Sequence, residues 1–242
     1  MHMNLIECRN INRYFGEDAN RVHVLKDISL TIQKGDFIAI IGQSGSGKST
    51  LMKIANGILV PAEGRIIFDG RVVGKGKRES RFLRERVGIV LQNPEDQLFS
   101  ASVFQDISAG PLNIGLTPEE ARRRVAEVAA LCGLTELLDR PTHALSGGEK
   151  TRAALAGILA MRPRFLFADE ITNALDPWMR AQVLKILCDW TARGNTVLLA
   201  THDWDMARSW AEEVYWLEDG KVLRAGTPEE VFQGSELPER YG

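Results

Sequence analysis

Phe37-Ile38-Ala39-Ile40-Ile41-Gly42-Gln43-Ser44-Gly45-Ser46-Gly47-Lys48-Ser49-Thr50 is the stretch on which the fold turns. The apolar run Phe37–Ile41 suits a buried strand. Gly42–Ser49 then matches GxxxxGK[ST] in full, and Lys48–Gly57 reads as a helix. Strand, glycine loop and helix in that order make a phosphate-binding arrangement. The glycines let the backbone curl until several N–H groups point at one phosphate. The helix behind them adds the positive end of its dipole. In such a loop Lys48 reaches the β- and γ-phosphates of a nucleotide, and the Ser49 hydroxyl ligates Mg²⁺. A merely flexible Gly/Ser loop would match the composition, but not an apolar strand before it and a helix after it.

A second stretch answers the first. Arg164-Phe165-Leu166-Phe167-Ala168-Asp169-Glu170 is an apolar strand ending in two carboxylates. After a phosphate loop, the first of such a pair holds Mg²⁺ through its coordination shell. The second, Glu170, is well placed to polarise an attacking water. Alone, an Asp after a strand reads equally well as a turn or helix cap; the loop upstream decides for the chemical reading.

Between and beyond these stretches, strands alternate with helices. Strand-like runs are Val24–Ile32, Arg65–Phe68, Val87–Leu91 and Thr196–Thr201, with a hairpin of Val214–Leu217 and Lys221–Arg224 across Asp219-Gly220. Pro177–Thr191 and Asp203–Trp210 read as helices. A mostly helical segment, residues 93–163, interrupts the pattern: Thr117-Pro118-Glu119-Glu120 is a strong helix start, and Ser146–Met161 is a second helix stopped by Arg162-Pro163. The pattern predicts an α/β fold with a largely parallel sheet covered on both faces.

Composition narrows the class. The chain has 242 residues, 44% hydrophobic and 26% charged, as a soluble domain with a large core requires. Its net charge of -2 supplies no positive field for nucleic acid, and Arg122-Arg123-Arg124 reads as a solvated helix face. Cys8, Cys132 and Cys188 are widely spaced, without CxxC, which points to a reducing compartment. No apolar run approaches the roughly 20 residues that span a bilayer, and no signal-peptide pattern is seen. Any membrane part must come from a partner. The five tryptophans read as core or subunit-interface residues.

Leu145-Ser146-Gly147-Gly148-Glu149 opens the helix that precedes the acidic strand. A Ser hydroxyl and glycine amides at a helix N-terminus make a second anion site, although a Ser N-cap supported by Glu149 explains the same residues. With the phosphate loop and acidic strand around it, the stretch resembles the signature sequence of ABC (ATP-binding cassette) ATPases, and the resemblance covers almost the whole chain. It implies a P-loop ABC fold over 1–242: a RecA-like core of 1–92 and 164–242 with an N-terminal antiparallel β part, and an inserted helical subdomain at about 93–163. It also implies further site residues. Gln92 resembles the glutamine that meets Mg²⁺ or water and relays to the membrane subunit. Asn173-Ala174-Leu175-Asp176 resembles the D-loop at a dimer interface, and His202 the switch histidine at the γ-phosphate. Tyr14-Phe15 lies where an aromatic stacks on adenine; Phe15, next to Gly16, is preferred, with Tyr14 the alternative.

The middle of the chain is most similar to the ATPases of energy-coupling-factor importers for cobalt, nickel and vitamins, through Val87–Phe99, Gly110–Leu116, Leu145–Leu159 and Gly226–Phe232. Arg21–Ser29 and Gln43–Met52 resemble macrolide-exporter and lipoprotein-release ATPases instead. Three positions depart from the family: Ile171 where Pro is usual, Asn173 in the D-loop, and the small Ala168. The resemblance implies ATP and Mg²⁺ as ligands and hydrolysis with Glu170 as general base. It also implies head-to-tail pairing with an identical or paralogous cassette, so that Ser146, Gly147 and Gly148 cap the neighbour's ATP. Docking on integral membrane subunits would follow, at the cytoplasmic face, with exposed Leu98 and Phe99 either forming a socket there or packing into the helical subdomain. The alternatives are an exporter motor and a soluble ABC ATPase of translation or DNA repair; the second would carry two cassettes, a coiled-coil insertion or a basic face.

Overall fold

The structure, a computed structural model, describes residues 4–173 and 175–233. Among the described residues, two sheets are built from ten strands. The first is antiparallel and carries β1 (Asn4–Phe15), β2 (Val22–Gln33), β4 (Glu63–Phe68) and β5 (Arg71–Val73) in the order β2-β1-β4-β5. The second holds β3 (Phe37–Ile41), β6 (Val87–Val90), β7 (Phe165–Asp169), β8 (Thr196–Thr201), β9 (Glu213–Glu218) and β10 (Lys221–Gly226). Its order is β10-β9-β3-β8-β7-β6, parallel throughout except for the antiparallel β9–β10 hairpin.

Why the central strands lack a polar face is visible in how their side chains divide. Ile38, Ile40, Phe165, Phe167, Leu198 and Ala200 point into a core shared with the antiparallel sheet and with α1 (Lys48–Ala55). Their odd-numbered or even-numbered neighbours Phe37, Leu166, Ala168, Val197 and Leu199 point the other way. There they meet α3 (Val103–Asn113), α4 (Pro118–Cys132), α5 (Gly147–Leu159) and α6 (Pro177–Ala192). A strand alternates its side chains between two faces, so burial on both demands an all-apolar run. The remaining helices are α2 (Lys77–Arg84), α7 (Trp204–Trp210) and α8 (Pro228–Phe232).

Expected and observed elements agree in kind. The helix after the glycine loop stops at Ala55, two residues earlier than expected, where Gly57 adopts a positive φ against the backbone of Ser80. The strand expected over Val87–Leu91 ends at Val90. Thr117 caps α4 in a complete capping box with Glu120. Arg122 and Arg123 are exposed as expected, while Arg124 turns in to donate to the Ala160 carbonyl. Trp190 and Trp216 are buried, and Trp178 stands 66% exposed at the start of α6.

The topology fixes where a ligand goes. In open parallel sheets, ligands sit outside the carboxyl ends of the strands. Ile41 pairs with Thr201 and Asp169 with Ala200 at those ends. The residues that follow, Gly42, His202 and Glu170, therefore leave three adjacent strands side by side.

Candidate functional site

The Gly42–Ser49 loop leaves β3 and enters α1 with backbone only glycine tolerates. Gly42 has φ 155°, and a Cβ there would run into the carbonyl oxygen of Leu217. Gly47, φ 106°, caps α1 with its missing side chain against Leu25 and Val24 of β2. The β9–β10 turn braces the loop from outside, Gly220 N donating to Ser46 O at 3.1 Å. Gln43, Ser44, Gly45 and Ser49 are exposed at the loop's rim, Thr50 half-buried behind them.

Lys48 is almost fully buried, its ammonium donating to Gly42 O (2.7 Å) and Gln43 O (3.0 Å) and lying 3.3 Å from Glu170 Oε1. The loop's own carbonyls thus hold the lysine over its mouth. Two buried polar atoms close by, Ser46 Oγ and Asp169 Oδ1, have no hydrogen-bond partner within the chain. Buried polar atoms are almost always bonded, so an orphan on the glycine loop and another at the end of β7 leave donors and acceptors free for a polar ligand. Burial pushes the Asp169 carboxyl above its ordinary value, against the opposing hydrogen bond from Ser49.

Glu170 follows with φ 50°, a left-handed conformation rare outside glycine, while its N–H still donates to Ala200 O as if β7 continued. The bend turns its carboxylate back over Lys48. Oε2 accepts from Asn173 Nδ2 at 2.6 Å, and the same amide nitrogen lies 3.4 Å from His202 Nδ1. His202 follows β8 with its side chain 60% exposed. Gln92 lies two residues beyond the end of β6 and is exposed; it lines a cavity of about 540 Å³ with Glu170, Asn173, Gly147 and Lys150. Loop, acidic pair, glutamine and histidine are therefore brought to one edge of one sheet.

Ser146 caps α5 in a capping box with Glu149: its hydroxyl accepts from Glu149 N at 3.4 Å, and Ser146 N donates to Glu149 Oε2 at 2.7 Å. The local capping reading of this stretch thus holds, and it leaves the Ser146 and Gly147 backbone exposed at the helix start. A Cβ at Gly148 would meet the end of the Met179 side chain of α6, which would have to give way. Asp176 spends its carboxylate as the α6 cap, accepting from Trp178 N and Met179 N at 2.9 Å each. Ala174 lies outside the described residues.

The two aromatic candidates differ in exposure and in what covers their rings, the Arg13 guanidinium lying 4.9 Å from the Phe15 centroid. Tyr14 is sandwiched between His23, stacked at 4.2 Å, and the Arg21 guanidinium, 3.9 Å from its centroid. Phe15, 39% exposed, pairs in the sheet with Val22, two residues before the stretch of β2 that abuts Gly47.

The profile of the ABC transporter family matches residues 25–173, which takes in the loop, the signature stretch and the acidic strand. The chain belongs to that family. Among relatives of this ABC cassette is the energy-coupling factor transporter ATP-binding protein EcfA of Methanocaldococcus jannaschii, 42% identical over 88% of the chain and 76% of the relative. EcfA3 of Clostridium perfringens is 43% identical over 89% and 76%. Among solved structures, cbiO1 of Clostridium perfringens, described as part of the transporter complex cbiONQ, superposes with a TM-score of 0.87 at 40% identity, covering 95% and 91%. A dimeric ATP-binding cassette in a post-hydrolysis state with ADP and Pi gives 0.84 at 28% identity, covering 93% and 99%. The cassette is an ATP-binding and ATP-hydrolysing subunit of a transporter.

One expected feature is corrected. Leu98 is half-buried and packs against the helical core, while Phe99, 78% exposed, faces out. The reason is Asp106, whose Oδ1 accepts from Phe99 N and Ser100 N at 3.0 and 2.9 Å and turns the loop outward there. Gln97 is a residue sequence reasoning missed: it donates to Ile89 O and accepts from Leu91 N, covering the open edge of β6 as an extra strand would. Its neighbour Gln92 drew attention only through the resemblance. Lys150, which ion-pairs with Glu95 across the cavity, was also missed.

Proposed function

We propose that this cassette energises an importer of the energy-coupling-factor type, at the cytoplasmic face of the membrane, for a metal ion or vitamin. The observation that carries the reading is the identity of 42–43% to proteins bearing that name over nearly nine-tenths of the chain. No helix among the described residues is long and apolar enough to cross a membrane, so the pore belongs to partners. The chain divides, in this reading, into a core of 1–92 and 164–242 and a helical subdomain at 93–163.

The chemistry follows from the site. ATP's adenine stacks on Phe15, and its phosphates lie on the amides of Gly42–Thr50, with Lys48 moving from its loop carbonyls to the β- and γ-phosphates. Asp169, Ser49 and Gln92 are the residues that would hold Mg²⁺; the orphaned Asp169 Oδ1 beside the Ser49 hydroxyl fits an ion shared with phosphate oxygens rather than an all-protein cage. That ion supplies neutralisation of charge on the phosphates. Glu170 takes the proton of the attacking water, and His202 contacts the terminal phosphate. The exposed start of α5 caps the ATP of a second cassette, identical or paralogous, while Asp176 holds the head of α6 at that contact. Loss of the γ-phosphate removes a charge both cassettes bind and biases the pair toward opening.

Membrane subunits dock beside Phe99, over a groove of about 310 Å³ lined by Gln97, Ala109, Gly110, Ile158 and Met161. Affinity capture of the tagged chain from native membranes tests the reading. Recovery of a small substrate-binding membrane protein and a separate coupling membrane protein supports it; recovery of an exporter permease alone overturns it. Phe99→Ala should lose those partners while still binding ATP.

A further inference from the structure

We infer that Asn173, a departure from the family's usual D-loop, is a positioning residue that clamps the Glu170 carboxylate and sets the proton position on His202. The inference rests on the reading of Glu170 as the base. An ionised carboxylate only accepts hydrogen bonds, so it is the Asn173 nitrogen and not its oxygen that faces Glu170 Oε2, at 2.6 Å. That nitrogen carries two hydrogens. One is used on Glu170; the other is directed at His202 Nδ1, 3.4 Å away. Nδ1 must then be the bare, accepting nitrogen, and the imidazole proton sits on Nε2. His202 is held ready to donate through Nε2–H, which is what a contact to a phosphate oxygen requires.

In the neutral ring no direct hydrogen bond does this instead. His202 Nδ1 and Glu170 Oε2 are 3.6 Å apart, beyond hydrogen-bond range, so the amide is the link between them. The clamp is also rigid. Asn173 N donates to Glu170 O at 3.2 Å, closing the turn between them. The two intervening residues, Ile171 and Thr172, are buried, and the Thr172 hydroxyl points at the Met206 sulfur. Glu170 Oε1 has Lys48 as its other neighbour, and Lys48 is the group that ATP's phosphates draw away. Asn173 is the holder that stays.

Two measurements test this. In steady-state hydrolysis, Asn173→Ala and the isosteric Asn173→Asp, which has no N–H to give, should lower kcat by about 10- to 100-fold, the range for a lost hydrogen bond to a charge, with KM for ATP within about twofold. In ¹⁵N-labelled protein, long-range nitrogen–proton correlations of the neutral His202 ring, assigned through His202→Gln, should show the proton on Nε2, and Asn173→Ala should abolish that preference. A wild-type His202 protonated on Nδ1 overturns the inference, whatever the variants do. So does an unchanged kcat in both variants. Glu170→Gln separates the premise: if it still turns over ATP, the base assignment fails; if it is inactive while Asn173→Ala is normal, only the clamp fails.

Discussion

Asp169→Asn should make the folded chain more stable and, at the same time, unable to turn over ATP. Asp169 is 6% exposed at the end of β7, one of its oxygens is unpartnered, and Glu170 sits beside it. Burial is the largest influence raising its pKa and Glu170 adds to it; the Ser49 hydrogen bond and the charges of Lys48 and Lys53 oppose it. The sign is then fixed. Between the ordinary carboxylate pKa and the raised folded value the folded chain binds more protons than the unfolded one, so stability falls as pH rises through that window and stays lower above it. Asparagine keeps the shape and removes the charge. It leaves a polar atom at the same unpaired position, so what it relieves is the extra cost of burying a charge rather than a neutral amide. With the attraction of the two lysines lost, a net gain of about 1 kcal/mol is expected at neutral pH. For a chain of this size that raises Tm by about 2–4 °C. Thermal unfolding followed by circular dichroism, with chelator and without nucleotide, reads it at neutral pH and again at about pH 4, near the ordinary carboxylate value, where the gap should close. A variant that melts at or below the wild-type temperature at neutral pH, or a gap that does not shrink in acid, would rule out a destabilising buried charge at Asp169.

Phe15→Ala should weaken ATP binding by the worth of one base stack, about 1–3 kcal/mol, in a nucleotide titration. Tyr14→Ala should leave that affinity nearly unchanged and lower Tm instead, because its ring is already filled on both faces by His23 and Arg21. Lys48→Ala should raise the Kd for ATP by about tenfold or more, since charge-assisted bonds to phosphate are lost; unchanged affinity would contradict the phosphate-loop assignment.

Much of the fold was legible because both-face burial leaves an unmistakable mark: Phe37–Ile41 and Phe165–Ala168 carry no polar residue, and each is followed at once by its chemistry. Helix α2 was not legible. Lys77–Arg84 has only Phe82 and Leu83 as apolar residues and buries only Leu83, so no periodic stripe announces it. It is held instead by neighbours far away in sequence, Arg71 bonding Glu79 and, with Arg86, covering the Phe82 ring. The outward turn at Phe99 depends on Asp106, seven residues on, and no local pattern separates Leu98 from Phe99. In the site, sequence spacing named Lys48, Asp169 and Glu170, and family resemblance added Gln92 and His202. Asn173 stood out only as an oddity. Its meaning depends on β7 and β8 being adjacent, which brings residues 170 and 202 within reach of one amide, and adjacency of strands is not written in local sequence.

In the proposed mechanism ATP is held between two cassettes, each lending the other the start of its signature helix. A structure of the Glu170→Gln transporter assembly with ATP and Mg²⁺ measures it directly. Ser146 should lie within hydrogen-bond distance of the γ-phosphate of ATP bound to the facing cassette's phosphate loop. Ser146 turned to solvent, with each nucleotide enclosed by a single chain, would contradict it.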